Sequence, residues 1–181
     1  PVIHSREILR VLERLAKQPQ RLGAFSDQYF GTVMWDETNS QKDGTIRRQT
    51  EYPDDPTALV LSGPHFFVGT PLNKNPNANC SSHLDYTAID LDNVASDFVP
   101  RTNYVPACSL TEYARRVPKW RGRRVDSYYR HVNRRMFGTT GERSLICCVL
   151  PPGPGHINTV VSAAFEDLDL LMYWSALSCS L

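Results

Sequence analysis

Residues 128–150 read YYRHVNRRMFGTTGERSLICCVL, and the geometry of this stretch separates an all-helical chain from a mixed one. On a helical wheel Tyr128, Tyr129, Val132 and Met136 share one face, opposite Arg130, His131, Arg134 and Arg135. Against that, 138–141 (GTTG) is a turn signal, and 144–150 beyond it is an apolar run of strand length. Together they favour a β-hairpin ending in a buried strand. In either geometry several arginines are expected to project outward together.

Towards the N-terminus the basic character continues. Residues 115–143 hold ten arginines and lysines against Asp126 and Glu142, a local charge of +8; the whole chain carries +1, so the remainder carries −7. With Trp120, Tyr128 and Tyr129 interleaved, this asymmetry suits a surface that contacts a phosphate backbone. A solvated basic face with no partner is the alternative.

The rest of the chain alternates strand and helix signals. Ser5 caps a helix over 6–18 with Ile8, Leu12 and Leu15 at helical spacing and Pro19 as its stop, expected to pack one face on a core. One or two helical turns are expected over 26–34, and a polar loop over 36–44. Strands are expected at 45–50, 58–61, 65–68 and weakly at 86–91, with a turn at 53–56 and a long Asn-rich loop over 70–82. Residues 100–106 (PRTNYVP), bracketed by prolines, should be extended. Ser109 and Glu112 form a capping-box pattern that starts a helix at Leu110, which Pro118 ends; 120–124 (WRGRR) then reads as an exposed basic loop. After 151–155 (PPGPG) come a possible strand at 157–161 and an apolar helix over 166–178. The pattern predicts a single α+β domain over 1–181, with a mixed, mainly antiparallel sheet and flanking helices. Starting at Pro1, it reads as a piece of a longer protein.

Composition narrows the function classes. Hydrophobic residues are 41% and charged residues 22%, ordinary for globular chains. No apolar run reaches the ~18 residues of a membrane span, so a soluble, cytoplasmic protein with no membrane partner is expected. Five cysteines, none in a C-x-x-C pair, read as reduced thiols, and the histidines lack zinc-ligand spacing. Phosphate-binding, dinucleotide and nucleophile-elbow motifs are absent. Pro53-Asp54-Asp55 resembles the opening of a nuclease carboxylate motif, but no acid–lysine pair follows it, so it reads as a turn. A base methylase needs a glycine loop for its methyl donor and an Asn/Asp-Pro-Pro-aromatic motif, and neither is present.

Three polar constellations remain as candidate contacts. They are Asn73 and Lys74 with the asparagines after them, Arg101 to Tyr104 on the extended segment, and residues 128–135 with Thr139, Thr140 and Arg143. Asparagine amides can pair with adenine edges, and arginines with guanine or phosphate.

Three blocks carry a family resemblance: 62–71 (SGPHFFVGTP) with Asn73-Lys74; 101–106 (RTNYVP); and 134–136 (RRM) through 141–146 (GERSLI) to 151–153 (PPG). In this order they resemble the region downstream of the catalytic domain in large adenine-specific DNA methylases of restriction–modification and phage-defence systems. The resemblance implies a DNA-binding target-recognition domain for double-stranded DNA. It places S-adenosylmethionine and catalysis in a methylase domain of the parent chain, and no cofactor in this one. Arg101, Asn103, Arg134, Arg135 and Arg143 lie in matched blocks, with Asn73 and Lys74 alongside. On this reading Arg115, Arg116, Lys119, Arg121, Arg123 and Arg124 neutralise phosphates, while Arg130, Arg134, Arg135, Asn103 and Asn73 read base edges. The rival expectation is a module that docks on its parent protein without touching DNA. A hydrolase or nuclease ranks far behind both, for want of paired carboxylates.

Overall fold

A computed structural model describes residues 5–19, 21–82, 84–136 and 145–180. The first half of the chain forms α1 (Arg6–Ala16), β1 (Tyr29–Thr32), α2 (Glu37–Lys42), β2 (Ile46–Glu51), β3 (Val60–Leu61), β4 (Lys74–Pro76) and β5 (Tyr86–Ala88). The second half adds β6 (Thr102–Pro106), α3 (Leu110–Arg116), β7 (Lys119–Trp120), β8 (Arg123–Arg124), β9 (Arg130–Arg134), β10 (Cys147–Leu150), β11 (Gly155–His156), β12 (Val160–Phe165) and α4 (Leu168–Ser180). One four-stranded antiparallel sheet runs β1-β12-β9-β10. A second runs β11-β3-β6-β2, antiparallel except for the β11–β3 pair. This is the α+β, mainly antiparallel domain that the sequence predicts.

The 128–150 stretch pairs as the hairpin reading requires, with Cys147 opposite Asn133 and Leu150 opposite Arg130. The GTTG turn and Arg143 lie outside the described residues. Val132, Cys148 and Leu150 pack with Val160 against Leu59, Leu61 and Phe66, which joins the two sheets. A second cluster gathers Met34, Trp35, Ile46, Val60, Tyr104 and Tyr113, with Val117 and Val125. α3 starts where the capping pattern places it, the Ser109 side chain accepting the Glu112 N–H at 3.2 Å. β12 follows the two-residue period of a strand, with Val160, Ser162 and Ala164 buried at alternate positions and Phe165 buried beside them.

Several local expectations are corrected. Residues 29–32 form an edge strand, because Tyr29 pairs with Phe165 and their rings stack at 5.8 Å. The polar 36–44 segment contains α2, held by the Asp36 carboxylate accepting the Asn39 N–H at 2.8 Å. No strand forms over 65–68: His65 closes a 3₁₀ turn (Gly63–His65), and Phe67 makes only an isolated bridge to Thr70. The 70–82 loop contains β4, which pairs with β5. The exposed loop at 120–124 is a tight hairpin: Arg121 (φ 49°) and Gly122 (φ 76°) both adopt the left-handed conformation of a type I′ turn between β7 and β8. α1 forms, but none of its residues is buried, and Ile8, Leu9, Val11, Leu12 and Leu15 remain exposed. Amphipathic spacing makes the helix; it supplies no partner for the apolar face.

One close approach is tested by a single substitution. A Cβ on Gly155 would stand 2.6 Å from Tyr113 Oη and 3.2 Å from Trp35 Nε1, between two groups that share a 2.8 Å hydrogen bond. Gly155→Ala is therefore expected to destabilise by about 1–3 kcal/mol through overpacking. Urea unfolding measures this, and adding Tyr113→Phe should recover part of the loss. Equal midpoints for Gly155→Ala and the parent would show that the backbone yields freely here.

Candidate functional site

Four of the ten basic residues, Arg116, Arg121, Arg124 and Arg130, are used by the fold. Arg130 has no exposed surface; its guanidinium donates to the Pro154 carbonyl and lies 3.8 Å from Met34 Sδ. It cannot read a base. Asn103 is buried too, its amide donating to Tyr86 Oη at 2.8 Å and accepting from Thr50 Oγ1 at 2.9 Å. Both residues leave the list of surface contacts, because each satisfies buried polar groups that would otherwise be orphaned.

The phosphate-contact candidates divide. Arg116 bridges Glu112 at 2.9 Å and Thr45 Oγ1 at 2.8 Å, tying α3 to the start of β2. Arg121 pairs with Glu166 and caps the Asp27 carbonyl at 2.7 Å. Arg124 pairs at 2.9 Å with the buried Asp126 carboxylate. Arg115 pairs with Glu112 but is largely exposed. Lys119 is exposed, and Arg123 lies over the Tyr128 ring at 4.4 Å with its charge at the surface. Only these last three keep cations available to a partner, so the dense patch of the sequence is a sparse one in space.

A different grouping emerges around Arg134. Its backbone is fixed from both sides: its N–H donates to the Ile146 carbonyl at 3.0 Å, and it pairs with Val160. The half-buried side chain reaches the loop before β4, where a Cβ on Gly63 would lie 3.6 Å from its Nε. Among the described residues its guanidinium has no hydrogen-bond acceptor and no acid. Burial alone moves its pKa below the usual arginine value, and it stays charged. Arg135 beside it is exposed, with its Nη1 donating to the Asn158 carbonyl at 3.2 Å.

Arg134 lines a cavity of about 430 Å³ with Asn73 and Lys74. Pro64, Phe67, Leu84, Met136 and Thr159 also line it. The loop is rigidly tied. Gly63 N–H donates to Thr159 Oγ1 at 3.0 Å, and Asn73 N–H donates to the His65 carbonyl at 2.9 Å. His65 is buried and neutral, with burial holding its pKa down; Nδ1 accepts the Ser62 N–H at 3.0 Å and Nε2 donates to the Arg101 carbonyl at 3.0 Å. Arg101 in turn donates its N–H to Asn75 Oδ1 at 2.7 Å, donates Nη1 to the Pro76 carbonyl at 2.9 Å and lies over the Tyr52 ring at 4.5 Å.

The three sequence blocks of the resemblance thus adjoin in space. The His65–Arg101 bond joins the first to the second, and the cavity joins the first to the third. The sequence supplied Asn73, Lys74 and Arg134 but not their convergence, and it missed Phe67, which a strand reading leaves without a role. No group of histidine, cysteine or acidic residues suited to a metal ion occurs among the described residues, and no helix among them is long and apolar enough to cross a membrane. A scan against protein-family models, a search of curated proteins and a search of solved structures each found no match to this chain.

Proposed function

We propose that this chain is the DNA-contacting, target-recognition part of an adenine-specific DNA methylase of the restriction–modification or phage-defence kind, with its contact surface centred on the Asn73–Lys74–Arg134 cavity. The supporting observation is that cavity: a half-buried guanidinium with no acid partner among the described residues sits in one concavity with an exposed lysine. A half-buried cation without a counter-charge is only partly hydrated, and a ligand anion would complete it. Phosphate oxygens of a DNA strand do so, with Lys74, Arg134 and Arg135 as the inner contacts. Lys119, Arg115 and Arg123 are outer contacts that fix register. The chain's role is binding; S-adenosylmethionine and the methyl transfer belong to the catalytic domain of the parent chain.

The test is duplex binding at several salt concentrations. Arg134→Ala and Lys74→Ala are each expected to weaken binding about 5- to 50-fold at low salt, and each to reduce the slope of log K against log salt by about one. Lys119→Ala should reduce the slope similarly with a smaller loss. Duplex affinity and slope unchanged in the Lys74→Ala, Arg134→Ala double variant would exclude this surface.

A second reading, docking on the parent's catalytic domain without DNA contact, is favoured by the uncovered apolar face of α1. It expects negligible duplex affinity at every salt concentration, so the same titration separates the two.

A further inference from the structure

We infer that the cavity between the start of β4 and the end of β9 holds a single nucleotide unit: a phosphate ester on Arg134 and Lys74, and an unstacked base against Phe67. This deepens the DNA reading by naming what the surface takes, and rests on it for the strand as the source of that nucleotide.

Phe67 is the first reason. Its neighbour Phe66 is buried in the core, yet Phe67 itself is 48% exposed. The turn that carries it is closed by paired bonds, Phe67 N–H to the Thr70 carbonyl at 2.9 Å and the reverse at 3.3 Å. Gly69 (φ 79°) then anchors it by donating to the Cys147 carbonyl at 2.9 Å. An aromatic ring presented to solvent by a pinned turn loses little entropy when a flat ligand covers it. Met136 and Leu84, both exposed, add polarizable and aliphatic surface around the same space.

Asn73 is the second reason. Its Nδ2 donates to the Pro64 carbonyl at 3.2 Å, which fixes the amide orientation because that partner only accepts. Oδ1 is then the group left for a ligand, and it asks for an N–H donor. Each nucleobase carries at least one N–H on its Watson–Crick edge, and inorganic phosphate carries none. The third reason is size. About 430 Å³ lies within the ~300–1,000 Å³ range of small-molecule sites, too small for a duplex and ample for one nucleotide. Cation, aromatic face and fixed acceptor are the three elements by which single nucleotides are held out of a stack.

Titration calorimetry of the chain with dAMP, deoxyribose 5-phosphate and inorganic phosphate at low ionic strength tests this. dAMP is expected to bind about 5- to 100-fold more tightly than the other two, the factor that stacking on one aromatic provides. Phe67→Ala should remove most of the dAMP preference, leaving the part that the Asn73 amide supplies, and leave deoxyribose 5-phosphate binding unchanged. Arg134→Met should abolish binding of all three, with thermal melts confirming that each variant is folded. A single-stranded trinucleotide that binds more tightly than dAMP identifies a strand as the source, and the reverse order identifies a free nucleotide. Equal affinities for dAMP and inorganic phosphate, a preference undiminished by Phe67→Ala, or no binding by any of the three would overturn the inference. Duplex binding without a dAMP preference would do so while leaving the DNA reading in place. A dAMP preference without duplex affinity would overturn the DNA reading and leave the nucleotide site.

Discussion

Arg130→Ala is expected to unfold at a much lower urea concentration than the parent protein, a loss of about 3–5 kcal/mol. Arg130 is the largest side chain with no solvent exposure, so truncation leaves a large void beneath β9. It also strips the Pro154 carbonyl of its donor and removes a positive charge that interacts with the buried Asp126 and Tyr113. Burial pushes the Arg130 pKa down to about 10, with Asp126 opposing the shift, so the side chain is charged at neutral pH. Its support is thin for a buried charge: one carbonyl, one thioether, and an Nε with no partner among the described residues. Met34, which provides the thioether, is itself held at φ 55°, an uncommon conformation for a residue with a side chain. Arg130→Met fills most of the void without the charge, and should recover at least half of the alanine loss. Equal urea midpoints for parent and Arg130→Ala would refute the account.

The second large effect is on pH dependence. His156 is fully buried, with Nε2 2.7 Å from Ser162 Oγ and Nδ1 3.1 Å from the Ile157 carbonyl. Burial first, and the Arg130 charge second, hold its pKa down to about 3. His65 and His131 are buried and shifted the same way, again chiefly by desolvation. His156 stays neutral in the folded protein down to about pH 3, and all three bind a proton less readily than an unfolded histidine, which titrates near ~6.5. Below that pH the unfolded chain binds protons that the folded one refuses, so stability is complete above pH ~6.5 and falls as the pH drops towards 3. His156 alone should cost about 2 kcal/mol by pH 5. The exposed carboxylates that hydrogen bonds hold low, such as Asp85 and Glu112, lose their contribution only below the usual carboxylate range. The window from pH 6.5 to 5 therefore belongs to the histidines. Urea midpoints at pH 7.5 and pH 5 measure it, and a flat profile between them would contradict neutral burial.

What could be read from the sequence follows from how local each signal is. The helix start at Ser109, the proline-bracketed β6 and the pairing of β9 with β10 are marked by nearby residues, and all three form. β1 does not, because the residues that make it a strand, Ser162 to Phe165, lie over 100 positions away. α2 has only Ser40 buried and no apolar stripe, so nothing but the Asp36 cap marks it. The arginines show the same limit more sharply. Arg130 and Arg134 belong to one run of basic residues, yet one is sealed in the core and the other lines a cavity. The cavity needs residues about 60 positions apart, and no local spacing reports that.

β9 also sets limits on how this site can change over time. Arg130, Val132 and Arg134 occupy alternate positions of one strand, so they share a face under the two-residue period of the pleat. The cavity's cation is thereby in register with a core side chain and a buried charge. A one-residue slip of β9 in its pairing register would turn all three to the opposite face at once. Variation in what the cavity accepts is therefore free to accumulate only on the opposite bank, at Phe67, Asn73, Lys74 and Leu84. Those four sit on turns and a short edge strand whose side chains can be exchanged without disturbing the sheet. A new specificity would be sought there by selection or by design, with β9 left as the fixed wall.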